Sequence, residues 1–261
     1  MAKREIEGSR GIVTGASSGI GRAIALELCR QGASVVVTAR REERLAELVE
    51  QSRSLAGKML HVVGDVSSPE VRERVVNCAV NEFGGLDFLV NNAGVGTLGR
   101  FEDAAPERLR QVMEVNFFAP VEMTRLALPH LKRGRQPIIV NVSSILGRRA
   151  VPHNSEYCAS KFAVHGFSEA IRTELAADGI DVLVVSPGTT QTEFFDQVLD
   201  RTSEPGWPEH RPVTAEHVAR QTVAAMRAGK REIVPYFWGK VLCGMNRVSP
   251  GLVDRVMKKY V

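Results

Sequence analysis

Apolar runs alternate with helix-period patterns from one end of the chain to the other. Gly11-Ile12-Val13-Thr14 reads as a first buried strand, residues 20–31 as a helix, and residues 34–38 as a second strand. Residues 42–56 are helical, with Leu45, Leu48 and Val49 on one face. A third strand covers 60–63, a third helix 70–83, and a fourth strand 86–90. A long helix is predicted from about Arg108 towards Leu131, kinked at Pro120 and with Pro129 near its end. Residues 137–142 form a fifth strand, 156–177 a helix and 181–185 a sixth strand. Thr214 caps a helix running to Ala228, and 232–234 form a short last strand. Strands that are apolar throughout, separated by helices, predict an α/β fold: a parallel sheet covered by helices on both faces. No repeat or low-complexity linker divides residues 1–261, so one domain is expected.

Composition narrows the class. The 261 residues are 44% hydrophobic, enough for a substantial core, yet no stretch of about 18 uncharged apolar residues predicts a membrane span. The first seven residues have no apolar segment behind their charges, which argues against a secretory signal. Cys29, Cys78, Cys158 and Cys243 are scattered and read as reduced thiols of a cytoplasmic protein. The six histidines have no metal-ligand spacing, so no metal is expected. The formal charge of +4 is spread along the chain. Its densest runs, Arg40-Arg41, Arg148-Arg149 and Lys258-Lys259, form no nucleic-acid stripe.

Candidate chemistry begins at Thr14-Gly15-Ala16-Ser17-Ser18-Gly19-Ile20-Gly21, between strand one and helix one. Gly15 permits a tight turn, Gly19 lets backbone N–H groups approach a pyrophosphate, and Gly21 allows close helix packing. The helix N-terminus favours an anion there. This is a dinucleotide site in prospect. The second strand ends at Ala39-Arg40-Arg41, with no acid at 39 or 40 to bind a ribose 2′-hydroxyl. Arg40 therefore points to a 2′-phosphate and to NADP(H). Asp65-Val66 ends strand three; Asp65 either accepts from an adenine amino group or caps the next turn.

Tyr157 and Lys161 lie four apart on one helix face. A fixed ammonium there is expected to lower the phenol pKa and make Tyr157 a proton donor and acceptor. Cys158 reads as a packed side chain, and His153 as a surface residue near the pocket.

Taken with Asn91-Asn92-Ala93-Gly94, Asn116, Ser143-Ser144 and Pro187-Gly188, these stretches resemble the short-chain dehydrogenase/reductase family from about Gly11 to about Thr192. The resemblance implies a Rossmann-type doubly wound sheet of about seven strands, a nicotinamide cofactor and a homodimer or homotetramer. It implies that Tyr157 is the acid/base and that Lys161 holds the nicotinamide ribose. Ser144 would bind the substrate oxygen, and Asn116 would position a water linked to Lys161. Asn91, Asn92, Ala93 and Gly94 would line the cofactor cleft, and Pro187, Gly188 and Thr192 would approach the carboxamide. Thr189-Thr190-Gln191 departs from the usual aliphatic run.

The expected activity is NADPH-dependent reduction of a carbonyl, or oxidation of the alcohol, on a lipophilic small molecule such as a steroid-like or xenobiotic ketone. Two alternatives remain: a 3-oxoacyl-[acyl-carrier-protein] reductase, which a basic Arg148-Arg149 patch would favour, and a non-catalytic NADP(H)-sensing protein. Residues 193–212, with Phe194, Phe195, Val198, Leu199 and Trp207, are expected to form a substrate lid. The amphipathic tail, 236–261, is read as packing on the pocket or a subunit interface in preference to lying on a membrane, because Pro250-Gly251 breaks it.

Overall fold

The computed structural model describes residues 4–194, 198–199 and 211–260. Six strands come first: β1 (Arg10–Thr14), β2 (Ser34–Ala39), β3 (Lys58–Val63), β4 (Phe88–Asn91), β5 (Ile138–Val142) and β6 (Asp181–Val185). Two short strands, β7 (Thr190–Gln191) and β8 (Val213–Thr214), pair with each other, and β9 (Glu232–Ile233) joins the edge of the main sheet. The main sheet is parallel throughout, in the order β3-β2-β1-β4-β5-β6-β9. This is a single Rossmann-type domain.

The strands carry apolar residues on both faces because both faces are covered. Val13, Val35, Val37, Val90 and Leu183 pack on one side, against Ile24 and Leu28 of α1 (Gly19–Arg30) and Val218 and Val223 of a later helix. Ile12, Val36, Leu89 and Ile139 point the other way, towards Val71 and Val75 of α3 (Pro69–Phe83) and Met123 and Leu131. The period of two along each strand puts neighbouring residues into separate cores.

Two helical regions differ from expectation. The helix predicted over 42–56 is α2 (Glu42–Ser52), ending where the Ser52 hydroxyl turns back onto the Val49 carbonyl. The long helix predicted from Arg108 is α4 (Pro106–Met113), a π-helical turn at Glu114–Phe118, and α5 (Ala119–Leu131). Pro120 lies in the first turn of α5, directly after the π-helical turn. α6 (Ser155–Glu174) carries Tyr157 and Lys161. α7 (Ala215–Arg227) is capped by Thr214, whose hydroxyl accepts from the His217 N–H. The tail forms α8 (Phe237–Val248) and α9 (Pro250–Met257), broken at Ser249 as Pro250 predicts.

The strand order reverses between β1 and β4. Both strands end at the same edge, so the turn at Gly15 and the loop at Asn92 open one crevice between them.

Candidate active site

That crevice is a cavity of about 1110 Å³. One end is the glycine turn. Gly15 and Gly19 have positive φ values of 66° and 55°, which L side chains rarely adopt. A Cβ on Gly15 would sit 2.7 Å from the Ala93 Cα, so the two loops pass each other only because there is none. Asn92 stitches them together, its amide donating to the carbonyls of Thr14 (3.0 Å) and Gly15 (3.1 Å). Ser18 occupies the N-cap of α1 but makes no capping bond with its side chain. The first-turn N–H groups of α1 are left to an anion.

Ser17, Ser18, Gly19, Ile20, Arg40, Asp65, Val66, Asn92, Ala93, Gly94, Pro187, Gly188 and Thr192 all line the cavity beside Gly15. Gly21 is not among the lining residues. It sits behind the turn, where a Cβ would lie 2.3 Å from the Asn92 amide and 2.4 Å from the Gly15 carbonyl, so its role is close packing. Asn91 is likewise buried away from the cavity, donating to Thr124 and Asn141 and tying β4 to β5. Neighbouring strand residues face opposite ways, so only Asn92 reaches the cleft. The Asp65 carboxylate accepts from the Ser67 N–H at 2.9 Å, the turn-capping arrangement.

Sequence reasoning chose Arg40 and passed over Arg41. Both line the cavity. Arg40 is exposed, whereas the Arg41 guanidinium reaches the glycine turn, donating to Ser17 (3.0 Å) and Ser18 (2.7 Å) and pairing with Glu193 (3.0 Å). The doubled arginine after strand two was the available signal.

At the other end stand Tyr157, Ser144 and Lys161, all buried and all on the cavity wall. Ser144 stands near enough to the Tyr157 phenol to draw its pKa down, and its hydroxyl accepts from the Leu146 N–H at 3.1 Å. The Lys161 ammonium lies 5.6 Å from the centre of the Tyr157 ring and donates to the Val142 carbonyl at 3.1 Å. The phenol pKa is not lowered. Burial pushes it up, outweighing the pull of Ser144, and the phenol stays protonated. Burial also drives Lys161 down to about 8. Cys158 is buried and its thiol is pushed up to about 11 by desolvation, consistent with packing.

Asn116 does not reach the cavity wall. Its side chain is spent on Val95, accepting from the N–H (2.8 Å) and donating to the carbonyl (3.0 Å), with a further bond to Ser160 (3.0 Å). It fixes the strand of chain that leads from Gly94 over the site.

The region between these ends is apolar: Leu98, Leu146, Val151, Phe194, Leu242 and Met257. The Phe194 ring is tilted over Tyr157 at 5.7 Å. Leu199 donates to the Gly96 carbonyl at 2.9 Å. Residues 195–197 and 200–210 of the expected lid, with Phe195 and Trp207, lie outside the described residues. The tail packs on the pocket as expected, since Leu242 and Met257 belong to α8 and α9. The Arg148-Arg149 pair forms no open basic patch. Arg148 pairs with Glu232 and Glu169, and Arg149 with Asp254 and the Asn246 amide oxygen.

A buried ammonium costs stability. Because the folded state holds the Lys161 proton less tightly than the unfolded chain, this penalty is full below about pH 8 and fades as pH rises through it. Lys161→Met should therefore raise stability at pH 7 by about 1–3 kcal/mol. Urea midpoints of the two proteins should stay apart up to about pH 8 and converge as pH rises from there towards 10.5.

Residues 11–202 match the short chain dehydrogenase family. An 11-beta-hydroxysteroid dehydrogenase of Pinus massoniana is 40% identical over 262 residues, spanning 96% of this chain and 73% of its own. A short chain dehydrogenase/reductase from Burkholderia phymatum in complex with NAD shares the fold, with a TM-score of 0.86 at 24% identity over 95% of this chain and 96% of that one. A short chain dehydrogenase from Burkholderia cenocepacia in complex with NADP superposes with a TM-score of 0.79 at 28% identity, covering 88% of this chain and 97% of that one. With the glycine turn at one end of its cavity and Ser144, Tyr157 and Lys161 at the other, the chain is an oxidoreductase of the short-chain dehydrogenase family.

Proposed function

We propose that this enzyme uses NADP(H) to interconvert a carbonyl and its alcohol on a lipophilic small molecule, with Tyr157 as the acid/base. The observation that carries the reading is that Tyr157, Ser144 and Lys161 share the wall of one cavity with the glycine turn and with apolar residues such as Leu146, Val151 and Leu242. The glycine turn, the uncapped α1 N-terminus and the adjacent arginines fit a dinucleotide phosphate. Arg40 and Arg41 together fit a 2′-phosphate, with Ser17 and Ser18 holding Arg41 in place.

When bound, the nicotinamide supplies or takes up the hydride. Tyr157 gives its phenol proton to the oxygen of the substrate carbonyl. Burial keeps it in the protonated form that reduction requires. Ser144 donates to the same oxygen and stabilises the charge that grows there. Lys161 lies beneath, beside the nicotinamide ribose in this reading, and places a positive charge near the phenol. Val151, Leu146, Leu242 and Met257 exclude water and receive the apolar body of the substrate. The hydroxysteroid activity named for the pine relative supports a bulky apolar substrate. With Arg148 and Arg149 engaged in ion pairs, the acyl-carrier-protein reading loses its supporting feature.

Turnover of a steroid ketone, a 3-oxoacyl thioester, a small diketone and a long-chain aldehyde with NADPH and NADH tests this. The steroid ketone with NADPH should be preferred. Arg40→Ala/Arg41→Ala should raise the KM for NADPH about 10–100-fold, the loss of one or two charge-assisted bonds, while the KM for NADH changes little. An equal loss with both cofactors would refute the 2′-phosphate role.

A further inference from the structure

The tail helices have two faces, and the pocket uses one. Leu242 and Met257 turn inward to the cavity, and Gly239 and Val253 are buried against the body. On α8, Phe237, Val248, Val241, Met245 and Trp238 fall within an arc of about 100° at helical spacing. Of these, Val248 is 87% and Phe237 69% exposed, and Leu252 of α9 is exposed beside them. Exposed apolar patches of this kind on a folded surface mark a contact with something else.

Charge says what that is. Lys240, Arg247, Arg255, Lys258 and Lys259 are all exposed on the same tail. The sole acid from 236 to 260 is Asp254, and Arg149 engages it at 2.6 Å. A two-fold contact with a second copy would set five cations against the same five. An anionic lipid surface takes both features at once: apolar side chains enter the acyl boundary and the cations meet headgroups.

We propose that α8 and α9 dock this enzyme on an anionic bilayer with Phe237, Val248 and Leu252 inserted. Val256 joins the two surfaces, for it both lines the cavity and is exposed on the tail. The cavity mouth thus opens at the lipid face, where an apolar substrate would be concentrated. Packing on the pocket and lying on a membrane, opposed as alternatives for the sequence, are served by opposite faces of the same helices.

Flotation with phosphatidylcholine vesicles, with and without phosphatidylserine, reads this directly and needs no turnover, so it stands apart from the identity of the substrate. The protein should float with phosphatidylserine vesicles and not with phosphatidylcholine alone, and should come off at about 1 M salt, where screening shortens to about 3 Å. K240A/R247A should weaken partition about 25-fold, at about fivefold per cation. V248D/L252D should abolish flotation while keeping the melting temperature and turnover of a water-soluble carbonyl. In a W207F background, Trp238 emission should shift to the blue on vesicle binding. Failure to float with phosphatidylserine, or flotation indifferent to V248D/L252D, would overturn the proposal. So would sedimentation showing a dimer that V248D dissociates in a protein that ignores vesicles.

Discussion

Tyr157→Phe should lower kcat by about three orders of magnitude, the middle of the range for a positioned general acid. The Kd for NADPH should change by less than about twofold, since the phenylalanine ring keeps the wall of the cavity. The substitution removes one oxygen, beside the Ser144 hydroxyl. Ser144 keeps its bond from the Leu146 N–H, so the loop stays capped and the stability change should be no more than about 1 kcal/mol. Structure and cofactor binding survive; the proton source does not. Single-turnover absorbance at the NADPH band, beside a direct binding titration, separates the two effects. A variant that turns over within about tenfold of wild type would remove Tyr157 from the proton-transfer role.

The pH dependence of that activity follows from burial. Without cofactor the phenol is held above its ordinary range and Lys161 below its own, so the usual picture of an ammonium drawing the phenol down is not what the folded chain alone provides. Both groups are deep in the same low-dielectric pocket, and desolvation outweighs an ammonium 5.6 Å from the ring.

How far the sequence revealed this site depended on how local each signal was. The glycine turn was legible because its geometry is written in eight consecutive residues. Tyr157 and Lys161 were legible because helix periodicity puts positions four apart on one face. Arg41 was not. Which of two adjacent arginines turns inward is decided by Ser17 and Ser18, 24 and 23 residues away in the chain. Asn91 and Asn92 were treated as one motif, yet strand alternation sends one into the sheet and the other to the cleft. The π-turn at Glu114–Phe118 has no compositional mark, and Pro120 drew attention to the wrong residue. The tail was ambiguous for a physical reason: a helix with apolar residues on two sides satisfies a packing reading and a docking reading together.

The least legible element is a buried ion pair beside the reacting tyrosine. Arg108 of α4 and Glu156 of α6 are 48 residues apart and meet at 2.6 Å, with side chains only 5% and 6% exposed. In sequence each is an unremarked charge at a helix start. Folded, they clamp the first turn of α6, one residue from Tyr157. Arg108→Met should cost about 3–5 kcal/mol, because it leaves a carboxylate in the interior without its partner. Arg108→Met/Glu156→Gln removes both charges and should recover most of the stability, so urea midpoints over the four proteins give a coupling energy that a solvent-exposed pair, at about 1 kcal/mol or less, cannot produce. Turnover should follow the same cycle. Arg108→Met should lower kcat more than KM by loosening the turn that aims the phenol, and the double variant should restore it. Additive losses, or a kcat untouched by Arg108→Met, would show that α6 is aimed by its packing on α4 and on the loop at Ser144, with the ion pair contributing nothing to the placement of Tyr157.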